Sequence, residues 1–258
     1  CLRFSADGRR LFVGRQAGEV QVWSLDPPGP VRCLRGPTEP AARLRQDKQG
    51  LALVAVHWEN KTQLALPARV VVWNTTDWQQ RRSWTIPEAP SASEVSPDGR
   101  WLATTTYRGR LRIWNLANPS ESRAASFSGG TLDLAFSPDG RLLAAVTVGG
   151  MVRFWEMPAL RELPAVRARS QSLFALAFSP DSQRLATAGE GAEAITLWDV
   201  ATWQELIALG RPGEQIEQLA FSTDGHQLTA RNSQGDLLSW RVPSYGDIVA
   251  KEQAMGKR

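Results

Sequence analysis

The side chains that could perform catalysis or hold a metal ion are few in this sequence. A hydrolytic or metal site needs a nucleophile beside a base, a pair of carboxylates, or several metal-binding side chains together. The sequence has two histidines, His57 and His226, which lie far apart, and two cysteines, Cys1 and Cys33. These residues favour neither a catalytic triad nor a metal site, and we expect the chain to use no cofactor.

The acidic residues recur, but in a pattern typical of turns. An Asp precedes Gly or Ser in the stretches SADG, SPDG, SPDS and STDG, at Asp7, Asp98, Asp139, Asp181 and Asp224. Asp favours tight turns because its carboxylate accepts hydrogen bonds from nearby backbone N–H groups. The pattern therefore indicates a structural role for these carboxylates.

The turns belong to a repeat that runs along the chain. Each copy ends on a tryptophan, and the successive steps are 50, 41, 41, 43 and 42 residues, between Trp23, Trp73, Trp114, Trp155, Trp198 and Trp240. Inside a copy, β-branched and aromatic residues form short runs separated by Asp-Gly or Gly-Gly, as β-hairpins require. A period of about 40 to 45 residues with four strands per unit is typical of a propeller blade.

The strand before each tryptophan alternates with a period of two. Val152 and Phe154 share one face, and Arg153 and Trp155 share the other. Such a strand has one apolar face, which in a propeller packs on the neighbouring blade. The tryptophans that we expect to be largely buried between blades are Trp114, Trp155 and Trp198.

We therefore predict an all-β protein, a β-propeller of six four-stranded antiparallel blades with almost no helix. The propeller spans residues 1–250, with a flexible tail at 251–258, and its second blade is distorted around 57–69. The repeats lie at about 1–36, 41–86, 91–128, 131–166, 171–209 and 214–250. Either the six blades close by side-chain packing alone, or an upstream segment completes a larger, seven-bladed ring, and we favour the second.

Composition limits the classes of partner. The chain has 30 basic and 26 acidic residues and a net charge of +4, but the basic side chains are scattered rather than clustered in a nucleic-acid arm. Nucleic-acid binding through these arginines is therefore an alternative that we do not favour. No apolar run approaches the roughly 18 residues of a membrane span. We expect a cytoplasmic protein with reduced cysteines, although the sequence leaves a Cys1–Cys33 disulfide open.

The repeat resembles the WD-repeat family. The resemblance rests on the Ser-Pro-Asp-Gly turn, the following LLA or RLA, and a strand closing on LWD at 197–199, IWN at 113–115 or VWN at 72–74. It implies a propeller that acts as a platform for other proteins and is not an enzyme. Propeller hydrolases share the turn but do not generally close each blade with this ending, so a hydrolase or its accessory domain is the other alternative.

The sequence departs from the family at a buried hydrogen-bond network. The family's Gly-His pair and its Asp before the Trp strand are absent. Thr104 and Thr187 occupy the Ser/Thr position of that network, whereas Val13 and Ala145 stand there in other blades. We therefore predict that the network is missing.

A second recurring position lies five residues after the closing tryptophan. It holds Trp78, Leu160, Trp203 and Tyr245 in four of the six repeats. We interpret these side chains as pegs that anchor the fourth strand of each blade. A binding stripe on the rim of the propeller is the alternative.

Loops carry function on a rigid scaffold, and several loops here contain aromatic and arginine side chains. The candidate partner-binding residues are Trp58, Tyr107, Arg108, Arg110 and Arg231, which are of types enriched at interface hot spots. We expect the arginines to lie on one face and to offer a positive, partly aromatic surface to an acidic segment of a protein partner. The Arg-rich, Lys-poor composition is typical of bacterial proteins in which such a propeller is fused to an upstream signalling domain.

Overall fold

A computed structural model of the chain describes residues 1–57, 66–191, 193–210 and 214–242. All the regular secondary structure in these ranges is β-strand, which confirms the predicted all-β class. Within the same ranges there is no helix long and apolar enough to cross a membrane. The chain divides into two compact units, Cys1–Ser128 and Gly129–Arg258.

The first unit contains three four-stranded antiparallel sheets, in each of which the strands are hydrogen-bonded in chain order. Short turns join the strands, as the Asp-Gly and Gly-Gly pairs predict. The strands are β1 (Leu2–Phe4), β2 (Arg10–Gly14), β3 (Val20–Leu25), β4 (Pro28–Leu34), β5 (Ala41–Gln46), β6 (Ala52–His57), β7 (Ala68–Asn74), β8 (Gln80–Ile86), β9 (Ala92–Val95), β10 (Trp101–Thr105), β11 (Arg110–Asn115) and β12 (Ser122–Ser126). We call these sheets blades 1 to 3.

The second unit contains blades 4 and 5, which have four strands each, and three described strands of blade 6. The expected fourth strand of blade 6 and the predicted tail lie outside the described residues, as does most of the predicted distortion in blade 2. The strands are β13 (Thr131–Phe136), β14 (Leu142–Thr147), β15 (Met151–Glu156), β16 (Arg161–Arg167), β17 (Leu173–Phe178), β18 (Arg184–Gly191), β19 (Ile195–Asp199), β20 (Glu205–Leu209), β21 (Glu214–Phe221), β22 (Gln227–Asn232) and β23 (Leu237–Arg241).

Blades 5 and 6 are joined into one sheet. Strand β18 continues past its partner in blade 5, and Glu190 and Gly191 pair with Gln215 and Glu214 of β21. The two blades therefore share backbone hydrogen bonds at one end, which the repeat pattern did not predict.

The repeated Asp residues hold the turn between the first and second strands of a blade. In blade 3 the Ser96 hydroxyl donates to Asp98 Oδ1 at 2.5 Å, and the same oxygen accepts from the Arg100 backbone N–H at 3.1 Å. The Ser96 hydroxyl oxygen in turn accepts from the Trp101 N–H at 2.9 Å. The same bonds recur at Asp7, Asp139, Asp181 and Asp224, which confirms the structural role predicted for these carboxylates.

The closing tryptophan of a blade packs against the preceding blade of the same unit. Trp73 lies in a cluster with Phe12 and Val22 of blade 1, and Trp114 packs with Val54 and Val70 of blade 2. In the second unit, Trp198 packs with Val152 and Phe154 of blade 4, the predicted apolar face.

The closing tryptophans differ in how much of their surface is exposed. Trp114, Trp155 and Trp198 are 6%, 0% and 5% exposed, which confirms their predicted burial. Trp23, the closing tryptophan of blade 1, is instead 36% exposed. Trp240 is half-buried against blade 5.

The prediction that the buried hydrogen-bond network is missing is wrong for two blades. The Trp114 indole N–H donates to Thr104 Oγ1 at 3.0 Å, and the Trp198 indole N–H donates to Thr187 Oγ1 at 2.9 Å. The threonine and tryptophan lie on the same face of adjacent strands, so they meet without the His and Asp that the family uses. A fragment of the network therefore forms wherever the threonine is present.

The pegs after the closing tryptophans pack on the preceding blade. The ring of Trp203 stacks on Phe154 of blade 4 with centroids 3.7 Å apart, and Trp78 meets the edge of Phe12 of blade 1 at 6.4 Å. Trp78, Leu160 and Trp203 have backbone φ values of 61°, 57° and 56°. Residues other than glycine rarely adopt such positive values. The contacts support the interpretation as anchors, while Tyr245 lies outside the described residues.

The anchor interpretation gives a stability prediction for Trp203. We expect Trp203→Ala to lower the free energy of unfolding by about 2 kcal/mol, since the stack on Phe154 is lost. Trp203→Gly loses the same contacts but removes the cost of the positive φ, so its effect should be smaller by about 0.5 to 1 kcal/mol. Urea unfolding of the two variants measures the difference. Equal losses would show that the backbone conformation at this position costs nothing.

Candidate interaction site in the first unit

The turn between β10 and β11 displays three of the predicted partner-binding residues. Gly109 takes a φ of 70° and donates its N–H to the Thr106 carbonyl at 3.0 Å. The Thr106 hydroxyl oxygen accepts from the Arg108 and Arg110 backbone N–H groups at 3.3 and 3.4 Å. The Phe127 N–H donates to the Gly109 carbonyl at 2.9 Å and ties the turn to the end of β12. The backbone of this turn is therefore held at several points.

The side chains of this turn differ in their hydrogen bonds and ion pairs to the rest of the protein. Tyr107 is 45% exposed, and Arg108 is exposed with no side-chain hydrogen bond or ion pair to the part of the chain that the structure describes. Arg110 is exposed too, but its Nη1 lies 2.5 Å from Glu88 Oε1 in the loop before β9. Arg110 therefore contributes less positive charge than the sequence predicted.

The other predicted binding residues do not join this turn in the structure. Trp58 lies outside the described residues. Arg231 belongs to the second unit, where its Nη2 lies 3.4 Å from Glu217 Oε2. One common face of Arg108, Arg110 and Arg231 stays a prediction.

A cleft of about 280 Å³ opens beside the Tyr107 turn, between the end of blade 2 and the tryptophan face of blade 3. Its apolar surface comes from Ile86, Pro87, Trp114 and Ala124. Polar atoms come from threonine, serine, arginine and glutamate side chains, namely Thr104, Thr106, Ser126, Arg110, Arg112 and Glu88. Arg110 therefore borders both the turn and the cleft.

Sequence reasoning missed Arg112, the other arginine of the cleft. Its guanidinium lies over the Trp114 ring, 5.0 Å from the ring centroid, and its side chain is half-buried. The signal was present in the alternation of β11, because Arg110, Arg112 and Trp114 fall on one face. An arginine at an alternating position of one strand would ordinarily face solvent, but the adjoining blade makes this face the wall of a cleft.

The remaining candidates for chemistry are structural or isolated. His57 is fully buried, its Nδ1 lies 3.0 Å from the Glu39 carbonyl, and burial lowers the pKa of its imidazole below the usual value. The side-chain bond from Ser5 lowers the pKa of Asp7. Cys1 and Cys33 are both free thiols. Among the described residues, no group of three His, Cys, Asp or Glu side chains could hold a metal ion.

A family model for the WD domain, G-beta repeat, matches residues 89–115 and 123–156. The first match contains blade 3 from the loop before β9 to the end of β11. The chain contains WD40 repeats. The matched WD40 blades include Trp114, Trp155 and the turn that carries Tyr107 and Arg108.

The similarity of fold extends beyond the matched WD40 blades. A chain of the solved structure entitled "Crystal Structure of Mitotic Checkpoint Complex" is similar over 94% of this chain and 74% of that chain, with a TM-score of 0.76 and 18% sequence identity. A comparison with curated proteins gave no match. The fold is therefore a β-propeller, and WD40 propellers are typically scaffolds for protein interactions.

Proposed function

We propose that this chain is a non-catalytic protein-interaction module that binds an acidic segment of a partner protein at the Tyr107–Arg110 turn. The observation that carries the proposal is the exposure of Tyr107 and Arg108 on a turn whose backbone is held by Gly109 and Thr106. Tyr and Arg are enriched among residues that dominate binding energy. A turn that is already ordered loses little conformational entropy when a partner binds.

The charges in and around the turn favour an acidic partner. Arg108 is not in an ion pair with any described residue, so its guanidinium can donate to a carboxylate. Arg110 is 60% exposed at its side chain even while it contacts Glu88, so part of its surface also faces a ligand. The proposal also includes a cytoplasmic location and a role as one module of a larger signalling protein.

The experiment compares charge reversal at the two ends of one blade. We expect Tyr107→Ala combined with Arg108→Glu to reduce capture of partner proteins from a cell lysate by about tenfold or more, while the free energy of unfolding changes by less than about 1 kcal/mol. Arg100→Glu is the matched control. Arg100 lies in the turn at the opposite end of β10, and its side chain is 79% exposed.

Loss of capture in both variants would show that the net charge matters and the turn does not. Undiminished capture by the Tyr107 and Arg108 variant would overturn the turn as the binding site. Adding Arg231→Glu tests whether the second unit contributes to the same surface. Capture that falls steeply with salt and disappears after nuclease treatment would support the nucleic-acid alternative, since phosphate contacts make affinity strongly salt-dependent.

A further inference from the structure

We propose that the cleft between blades 2 and 3 binds an extended partner segment in which a leucine-like side chain stands next to an Asp or Glu. This inference rests on the proposed function and assigns it a second contact region. The cleft borders the Tyr107 turn through Arg110, so one segment can contact both.

The wall of the cleft selects an aliphatic side chain. Ile86 and Trp114 are buried, and with Pro87 and Ala124 they form an apolar surface. The volume of about 280 Å³ lies just below the range of roughly 300 to 1,000 Å³ found for small-molecule sites. A space of this size suits one or two side chains better than a cofactor.

Arg112 selects the carboxylate. Arg112 is half-buried, its guanidinium lies over the Trp114 ring, and no described Asp or Glu lies within ion-pair distance of it. A guanidinium presents a planar fork of N–H donors that matches a carboxylate. The ring beneath it holds the group in place and leaves its N–H edges available for an acidic side chain.

The other charges of the cleft do not cancel this preference. Glu88 is already in contact with Arg110, and its side chain is only 20% exposed. Two arginines and one glutamate line the cleft, so its net charge is positive. A segment with an acidic side chain is therefore favoured over a basic one by charge complementarity.

The test uses a phage library of random twelve-residue peptides selected on the whole chain. We expect the enriched peptides to contain Leu, Ile or Met beside Asp or Glu. Synthetic copies of these peptides should lose about tenfold or more in affinity when Asp is replaced by Asn, and the same loss should follow from Arg112→Gln. The two losses should not add, because both changes remove the same contact.

Two further variants separate the cleft from general effects on the protein. Ala124 lies on the exposed edge of the cleft, so Ala124→Phe fills the space without changing a buried residue. It should abolish binding of the selected peptides even if Arg112→Gln proves unstable. Arg123→Gln is the matched control, because Arg123 lies over the Trp101 ring, 5.7 Å from its centroid, and faces away from the cleft. The Arg123→Gln variant should bind the selected peptides with the same affinity as the unchanged protein.

The possible outcomes distinguish this inference from the proposed function. Peptides that lose binding with the Tyr107 and Arg108 variant but keep full affinity for Arg112→Gln and Ala124→Phe would support the turn and overturn the cleft. The cleft proposal would also be overturned if the selection enriched no peptides, or if the enriched peptides contained no acidic residue. If only the cleft variants lose peptide binding, the cleft is supported as a binding site. The lysate experiment then tests the Tyr107 turn separately.

Discussion

Replacing Trp114 by alanine is expected to lower the free energy of unfolding by about 3 to 5 kcal/mol, the usual cost of truncating a large buried aromatic side chain. The indole is 6% exposed and packs on Val54 and Val70 of blade 2. Its N–H also donates to Thr104 Oγ1, so truncation removes a buried hydrogen bond together with the packing. Urea unfolding followed by circular dichroism measures the change.

Trp23→Ala is the control for this prediction. Trp23 occupies the same position of blade 1, but it is 36% exposed and its indole N–H donates to the half-buried Gln21 side chain at 3.3 Å. We expect its replacement to cost about 1 kcal/mol or less, as for surface positions. Similar losses in the two variants would contradict the view that contact with the preceding blade, rather than the tryptophan itself, provides the stability.

Much of the fold could be predicted because its determinants lie close together in the sequence. The Asp98 turn is built by residues within five positions of one another, and the alternation around Trp155 sets the faces of one strand. Five complete blades and three strands of the sixth agree with the repeat. The extension of β18 to Gly191 escaped prediction because its partner strand begins more than twenty residues later.

The candidate site was less predictable, since its properties depend on residues from different blades. Arg110 was expected to be a free positive charge, but Glu88, which contacts it, comes from the loop before the blade. Arg112 gained its position in a cleft only because blade 2 packs beside it. Thr104 and Trp114 form their hydrogen bond although the family's other network residues are absent. Residue types and strand period alone do not specify these distances.

The second large effect is expected at Gly18, in the turn between β2 and β3. We expect Gly18→Ala to lower the free energy of unfolding by about 3 kcal/mol, from the sum of two costs. Gly18 has a φ of 76°, and an added Cβ would lie 1.5 Å from the Pro37 carbonyl oxygen. The backbone conformation costs roughly 0.5 to 1 kcal/mol with alanine, and forcing the turn away from Pro37 adds about 1 to 3 kcal/mol.

Gly8→Ala separates these two costs. Gly8 lies in the same blade with a φ of 69°, and a Cβ there would have no neighbour within 4 Å. Its replacement should therefore cost only the backbone term, about 0.5 to 1 kcal/mol. The difference between the two variants then measures how firmly the segment around Pro37, which leads from blade 1 to blade 2, is held against the Gly18 turn. If both replacements cost the same, that segment yields to the added methyl group, and the close approach at Gly18 does not stabilise the junction of the two blades.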